Sequence, residues 1–233
     1  MHVNSVQQTP RDDFGAQLRG FGLVGTVAIV LIMLTGNIVF PNMVAIPVGA
    51  VLVLIWARLS HTPLPEIGYA KPKNWPVTIL GGIVFGVAFK LLMKAIVMPL
   101  LGADPINRSY HFLSGNKFML PAAIVAMLVA GFGEETVFRG FMFERLGKLF
   151  GNGRGTKIFI VVFTSILFGL SHYFSQGWTG VEQAIITGLV FGTIFAATKN
   201  IWIVMIAHAF FDLTALAMIY KNVELQIAHW IFK

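Results

Sequence analysis

Residues 77–100 read VTILGGIVFGVAFKLLMKAIVMPL, twenty-four positions of which only Lys90 and Lys94 carry charge. At ~1.5 Å of rise per residue this run makes a helix of about 36 Å, enough to cross a hydrocarbon core of about 30 Å. Within that core a segment must satisfy its own backbone N–H and C=O groups, which a helix does. The pattern recurs along the chain. Apolar runs at 20–39, 43–59, 77–100, 118 to about 138, 157–173, 181–198 and 201–220 predict seven spans, within a range of six to eight. The expected fold is therefore an all-α, polytopic transmembrane helix bundle. It is divided into a polar N-terminal segment (1–19), an integral membrane domain (20–220) and a short tail (221–233) that forms an interfacial helix or the end of an eighth element. Pro41 and Asn42, the proline-rich 60–76, then 102–117 and 151–155 mark the breaks.

Composition agrees. Hydrophobic residues make up 56% of the 233, charged residues 12%, and mean hydropathy is +0.77, whereas soluble domains carry about a quarter charged residues. With no cysteine, disulfides, thiolate zinc sites and a thiol nucleophile are excluded, and the redox compartment is not readable. The formal charge of +7 sits in short segments between apolar runs, which points to lipid headgroups rather than nucleic acid. The apolar stretch after Arg19 reads as a first span rather than a signal peptide. With the N-terminus inside, ten basic residues fall in inner segments, among them Arg19, Arg145 and Lys148, and four in outer segments: Arg108, Lys117, Lys221 and Lys233. The positive-inside bias thus favours a cytoplasmic N-terminus in a cell membrane. Gly82 with Gly86, and Gly188 with Gly192, are small-xxx-small pairs that let helices approach closely.

Functional information concentrates where ionisable groups interrupt apolar runs, because each costs about 2.5–3.5 kcal/mol at the bilayer centre on insertion scales. Residues 130–145, AGFGEETVFRGFMFER, hold Glu134, Glu135 and Arg139. At ~100° per residue Glu135 and Arg139 share a face as an i, i+4 pair, while Glu134 is turned ~140° from Arg139 and is assigned to chemistry. The plainer alternative puts all three at a helix end in the interface. FGLSH at 168–172 ends the fifth span on His172, and HAFFD at 208–212 puts His208 and Asp212 on one face of the seventh. Either imidazole alone is ordinary packing, but three spans that each supply a carboxylate or imidazole predict a convergent polar site. Glutamate plus histidine can deprotonate a water, and two histidines plus a carboxylate can instead ligate zinc. Neither a G-x-S-x-G nor an H-E-x-x-H motif is present, and Ser171 points away from its neighbour His172. Lys90 and Lys94, i and i+4, are expected to snorkel outward; the sharper alternative turns one into the cavity to attract a substrate carboxylate.

EETVFRG at 134–140, F-x-x-x-H at 168–172 and H-x-x-x-D at 208–212, in that order, resemble the CPBP family of intramembrane proteases. That family includes the type II CAAX prenyl endopeptidases and the Abi and bacteriocin self-immunity proteins, and the resemblance covers about 121–217. It implies a membrane endopeptidase with a conical cavity, Glu134 and His172 activating a water, His208 donating to the oxyanion, and Glu135 with Arg139 as structural support. Where the prenyl endopeptidases carry Asn at the last motif position this chain has Asp212, which could orient His208, stay protonated or bind a metal. The resemblance leaves open a metal-free mechanism, favoured here, and a zinc site of Glu134, His172 and His208. The implied partners are the bilayer and a membrane-associated or lipidated, CAAX-type peptide substrate. The competing classes are a non-catalytic immunity or scaffold protein that binds membrane peptides, and a proton-coupled transporter, which would show an internal symmetry that is not evident.

Overall fold

In the computed structural model, which describes residues 10–35 and 45–232, the secondary structure is helical and no strand occurs among the described residues. The elements are α1 (Pro10–Arg19), α2 (Leu23–Met33), α3 (Ala45–Leu59), α4 (Trp75–Leu100), α5 (Leu120–Phe150), α6 (Arg154–Ser171), α7 (Tyr173–Thr198), α8 (Ile201–Tyr220) and α9 (Glu224–Ala228). The helices α4 to α8 are each long and apolar enough to cross a bilayer, and α2 and α3 are shorter apolar helices. Together these make the expected bundle of about seven spans in an integral, multi-pass membrane protein. The Pro41–Asn42 break, and the adjoining ends of the first two predicted spans, lie outside the described residues.

Three boundaries differ from the sequence expectation, each for a physical reason. The polar N-terminus contains α1, whose last turn has Arg19, a charge that suits the helix dipole. The predicted fourth span stops near 138, but α5 continues to Phe150, because the charges that lower hydropathy there are paired rather than exposed. At ~1.5 Å per residue its 31 residues reach about 46 Å, so one end leaves the hydrocarbon. The predicted sixth span starts at 181, whereas α7 begins at Tyr173 and bends at Gly177. There φ is 63° and ψ is −163°, a region open essentially to glycine alone.

At the end of the bundle where α5 emerges, Glu144 pairs with Arg145 and, at 3.0 Å, with Lys148. Lys148 also reaches Glu66 at 2.9 Å, as does Arg19. Hydrogen bonding from Lys148, helped by Arg19, holds the Glu66 carboxyl below its usual pKa range. Arg145 donates to the Arg19 carbonyl at 2.7 Å and covers the Trp56 ring, whose Nε1–H donates to the Leu18 carbonyl at 3.1 Å. This network anchors α1 against α3 and α5. The opposite end has the 101–119 connection, α9, and an exposed aromatic group of Phe112, Phe118, Phe174, Trp178 and Trp230, the composition of a membrane–water interface.

Close backbone contacts set the position of the site. A Cβ on Gly86 would lie 2.2 Å from the Ala207 carbonyl oxygen, so α4 and α8 touch through the expected glycine pair; Gly188 meets Ser165 in the same way across α7 and α6. Gly192 makes only ordinary contacts with Val161 and Phe143. A further contact was not anticipated. A Cβ on Gly131 would stand 2.6 Å from the Ala209 nitrogen, which brings α5 against α8 one turn before Glu134 and one residue after His208.

Candidate active site

Glu134 and Glu135 end the α-helical first half of α5, and Thr136–Phe141 continues it as a π-helical turn. Such turns insert an extra residue into the helix and occur often at functional sites. Glu135 and Arg139 still meet: Arg139 donates to Glu135 Oε1 at 2.8 Å, with both side chains essentially inaccessible. All three residues are covered by protein, as is every residue from Gly133 to Arg145.

Glu135 does more than neutralise Arg139. The same Oε1 accepts from His208 Nδ1 at 2.8 Å, which fixes the imidazole's orientation and directs Nε2 at the two remaining carboxylates. Nε2 lies 3.7 Å from Glu134 Oε2 and 3.5 Å from Asp212 Oδ2. The i, i+4 relation of His208 and Asp212 on α8 produces the second approach.

His172 caps the C-terminus of α6, where the last carbonyls have no intrahelical partner. Its Nδ1 bonds the Phe168 carbonyl at 2.8 Å. Since a carbonyl can only accept, Nδ1 carries the hydrogen, and in the neutral ring Nε2 keeps a lone pair. Ser171 donates to the same carbonyl at 2.7 Å, so its hydroxyl is engaged in capping rather than poised as a nucleophile.

Phe168 links the parts. Its ring meets His172 edge-on at 4.7 Å and His208 at 5.8 Å between centroids, and the Arg139 guanidinium covers it at 4.7 Å. The F-x-x-x-H motif thus supplies both an imidazole and the aromatic wall that supports two of them, held by the arginine of the first motif.

Glu134, His172, His208 and Asp212 all line one cavity of about 800 Å³. It is bounded by alanines of α5 (Ala122, Ala126, Ala130), by the α6–α7 corner and by α8. It extends towards the 101–119 end of the bundle, where Tyr110 forms part of the wall. Tyr110 is a site residue that motif reasoning passed over, since it lies in a connection whose only local signal is an Asn107 cap. Burial first, then the charges of Asp212 and Glu134, push its phenol above the usual pKa, so it remains a proton donor at neutral pH.

Among the described residues no group of three or more His, Asp or Glu side chains is arranged to hold an ion.

Comparison with known proteins follows the same three motifs. The family model described as Type II CAAX prenyl endopeptidase Rce1-like matches residues 116–214, a stretch that contains Glu134, His172, His208 and Asp212. Over these residues the chain is similar to that family. It is also similar to "Uncharacterized protein YyaK" of Bacillus subtilis (strain 168), at 29% identity over 136 residues. That alignment covers 54% of this chain but only 44% of the relative, so less than half of the relative's length is matched. No solved structure matches the chain. The match ends just past the α8 motif and starts before α5, so α1 to α4 and the 101–115 connection, which includes Tyr110, lie outside it.

Proposed function

We propose that this protein is an intramembrane endopeptidase that hydrolyses a peptide bond in a membrane-associated substrate, prenylated substrates of the CAAX type included, by means of an activated water. Glu134 takes a proton from the water as its oxygen attacks the scissile carbonyl, and His172 Nε2 shares in holding that water. His208 donates from Nε2 to the developing oxyanion, and the proton then passes to the leaving amine. Placed donors and a base of this kind lower a barrier by several kcal/mol in a low-dielectric cavity. The observation that carries this reading is the lining of one cavity by a carboxylate of α5, the imidazole at the end of α6 and the imidazole and carboxylate of α8. Asp212, in place of the family's Asn, fits best as a second positioning group for His208, 3.5 Å from Nε2. No metal enters the mechanism.

The test is to incubate purified protein in lipid with a panel of prenylated and unmodified membrane peptides, with and without chelator, and to read the products by mass spectrometry. Internal cleavage that persists in chelator is expected. Chelator-sensitive cleavage would overturn the metal-free route, and an uncut panel would overturn the protease reading.

With a cytoplasmic N-terminus, as the basic-residue bias favours, the cavity opens on the outer membrane face. Because the chain has no cysteine, single-cysteine variants report this cleanly. An impermeant thiol reagent applied to intact cells should label Ser109→Cys, on the exposed 101–119 connection, and spare Asn152→Cys at the other end. The reverse pattern would invert the assigned orientation.

A further inference from the structure

Lys90 does not snorkel to the surface. It is 6% exposed on α4, and its Nζ turns into the bundle, donates to Gln183 Oε1 of α7 at 2.9 Å and stands 4.6 Å from the centre of the Phe211 ring. It also occupies a junction. Lys90, Asn107, Gln176 and Gln183 line both the 800 Å³ cavity and a smaller adjoining one of about 190 Å³.

The other cations around the smaller cavity are matched by carboxylates. Lys94 pairs with Glu224 of α9 at 3.0 Å and also donates to the Pro105 carbonyl, and Arg108 pairs with Asp104 at 2.7 Å. Lys90 takes part in no ion pair among the described residues. The carboxylates of Asp212, across the main cavity, and Glu224, paired with Lys94, act on it only through space. An ammonium has three donors, and within a bilayer a cation contacted only by an amide oxygen and an aromatic ring still lacks a carboxylate in direct contact. A chain that positions such a group at the wall of a peptide-sized cavity has a place for an anionic ligand.

We propose that Lys90 anchors a carboxylate of the substrate peptide at the junction of the two cavities, with Gln183, Gln176 and Asn107 supplying neutral contacts around it. The proposal rests on the reading of the large cavity as a peptide-binding cleft. A free C-terminus and an acidic side chain offer the same chemistry, and the experiment separates them.

The probes are three membrane-anchored fluorescent peptides of otherwise identical sequence: a free acid, its C-terminal amide, and an amide with an Asp next to the end. Binding is measured in nanodiscs to Glu134→Gln protein, which retains bound peptide uncut. One or both carboxylate forms should bind about tenfold or more tighter than the plain amide, the strength of a charge-assisted contact in a buried site. Tighter binding of the free acid alone identifies the C-terminus, and of the Asp form the side chain. In the Lys90→Met background the preference should vanish, and in Lys90→Arg it should largely persist. The Lys90→Met melting temperature should be no lower than that of the parent, because a buried charge has been replaced by an apolar chain of similar length. Equal binding of all three peptides, no binding of any, or a preference that survives Lys90→Met would overturn the proposal. If Lys90→Met fails to fold, Lys90→Gln gives the same comparison. Cleavage of these peptides by unsubstituted protein is scored separately, so a carboxylate preference without cleavage removes the protease reading and leaves the anchoring site in place.

Discussion

Glu134→Gln protein is expected to fold, to bind the same peptides as the parent and to cut none of them, with kcat reduced by about 10²–10⁴ and KM little changed. The magnitude is that of a general base removed from a hydrolytic step. Glutamine keeps the length and one acceptor oxygen of the side chain but cannot take the proton of the water. Glu134 is 5% exposed and forms the cavity wall facing His208, so the substitution perturbs packing little. The check is single-turnover hydrolysis of a cleaved peptide together with recovery of intact substrate from the purified variant. A protease stripped of its base accumulates substrate. A scaffold that only binds membrane peptides is indifferent to the change, and a variant with full hydrolytic rate would remove Glu134 from the mechanism.

What the sequence disclosed about this site follows from how membrane chains encode it. Glu134, Glu135, Arg139, His172, His208 and Asp212 stand out because a bilayer penalises each in an otherwise apolar run, and i, i+4 spacing alone pairs Glu135 with Arg139 and His208 with Asp212. The less legible features depend on contacts between elements. Nothing local says that Glu135 also holds His208, a bond made across 73 residues and possible only because Gly131 lets α5 approach Ala209. The extension of α5 to Phe150 was hidden for a related reason: Glu144 and Arg145 lower local hydropathy, yet they neutralise each other and tie down α1. Lys90 shows a limit of the snorkelling rule. Its reach towards the interface competes with Gln183 and the Phe211 face on neighbouring helices, and these partners hold it inside. Tyr110 comes from a connection without motif or periodicity, and only the fold carries it to the cavity wall.

Glu135→Ala tests whether the pair behind the site serves stability, catalysis or both, and the expected result is loss of both. Arg139 is 1% exposed, and Glu135 is its only ion-pair partner among the described residues; its other contacts are the Gly188 carbonyl at 3.3 Å and the Phe168 face. An arginine left in this interior without its carboxylate is destabilising by about 3–5 kcal/mol. For a chain of this size that lowers the melting temperature by on the order of 10 °C. The loss also releases His208 Nδ1, so the imidazole no longer holds Nε2 between Glu134 and Asp212. Stability and activity then separate in the double variant Glu135→Leu, Arg139→Met. Replacing a buried ion pair by apolar groups of similar volume is often neutral or stabilising, so the melting temperature should recover most of what Glu135→Ala lost. Hydrolysis should not recover, because leucine cannot accept from His208. Thermal unfolding in detergent and peptide cleavage, measured on the same preparations, report the two effects independently. An unchanged melting temperature for Glu135→Ala would show that the guanidinium does not depend on this carboxylate, and an active double variant would show that His208 is oriented by something other than Glu135.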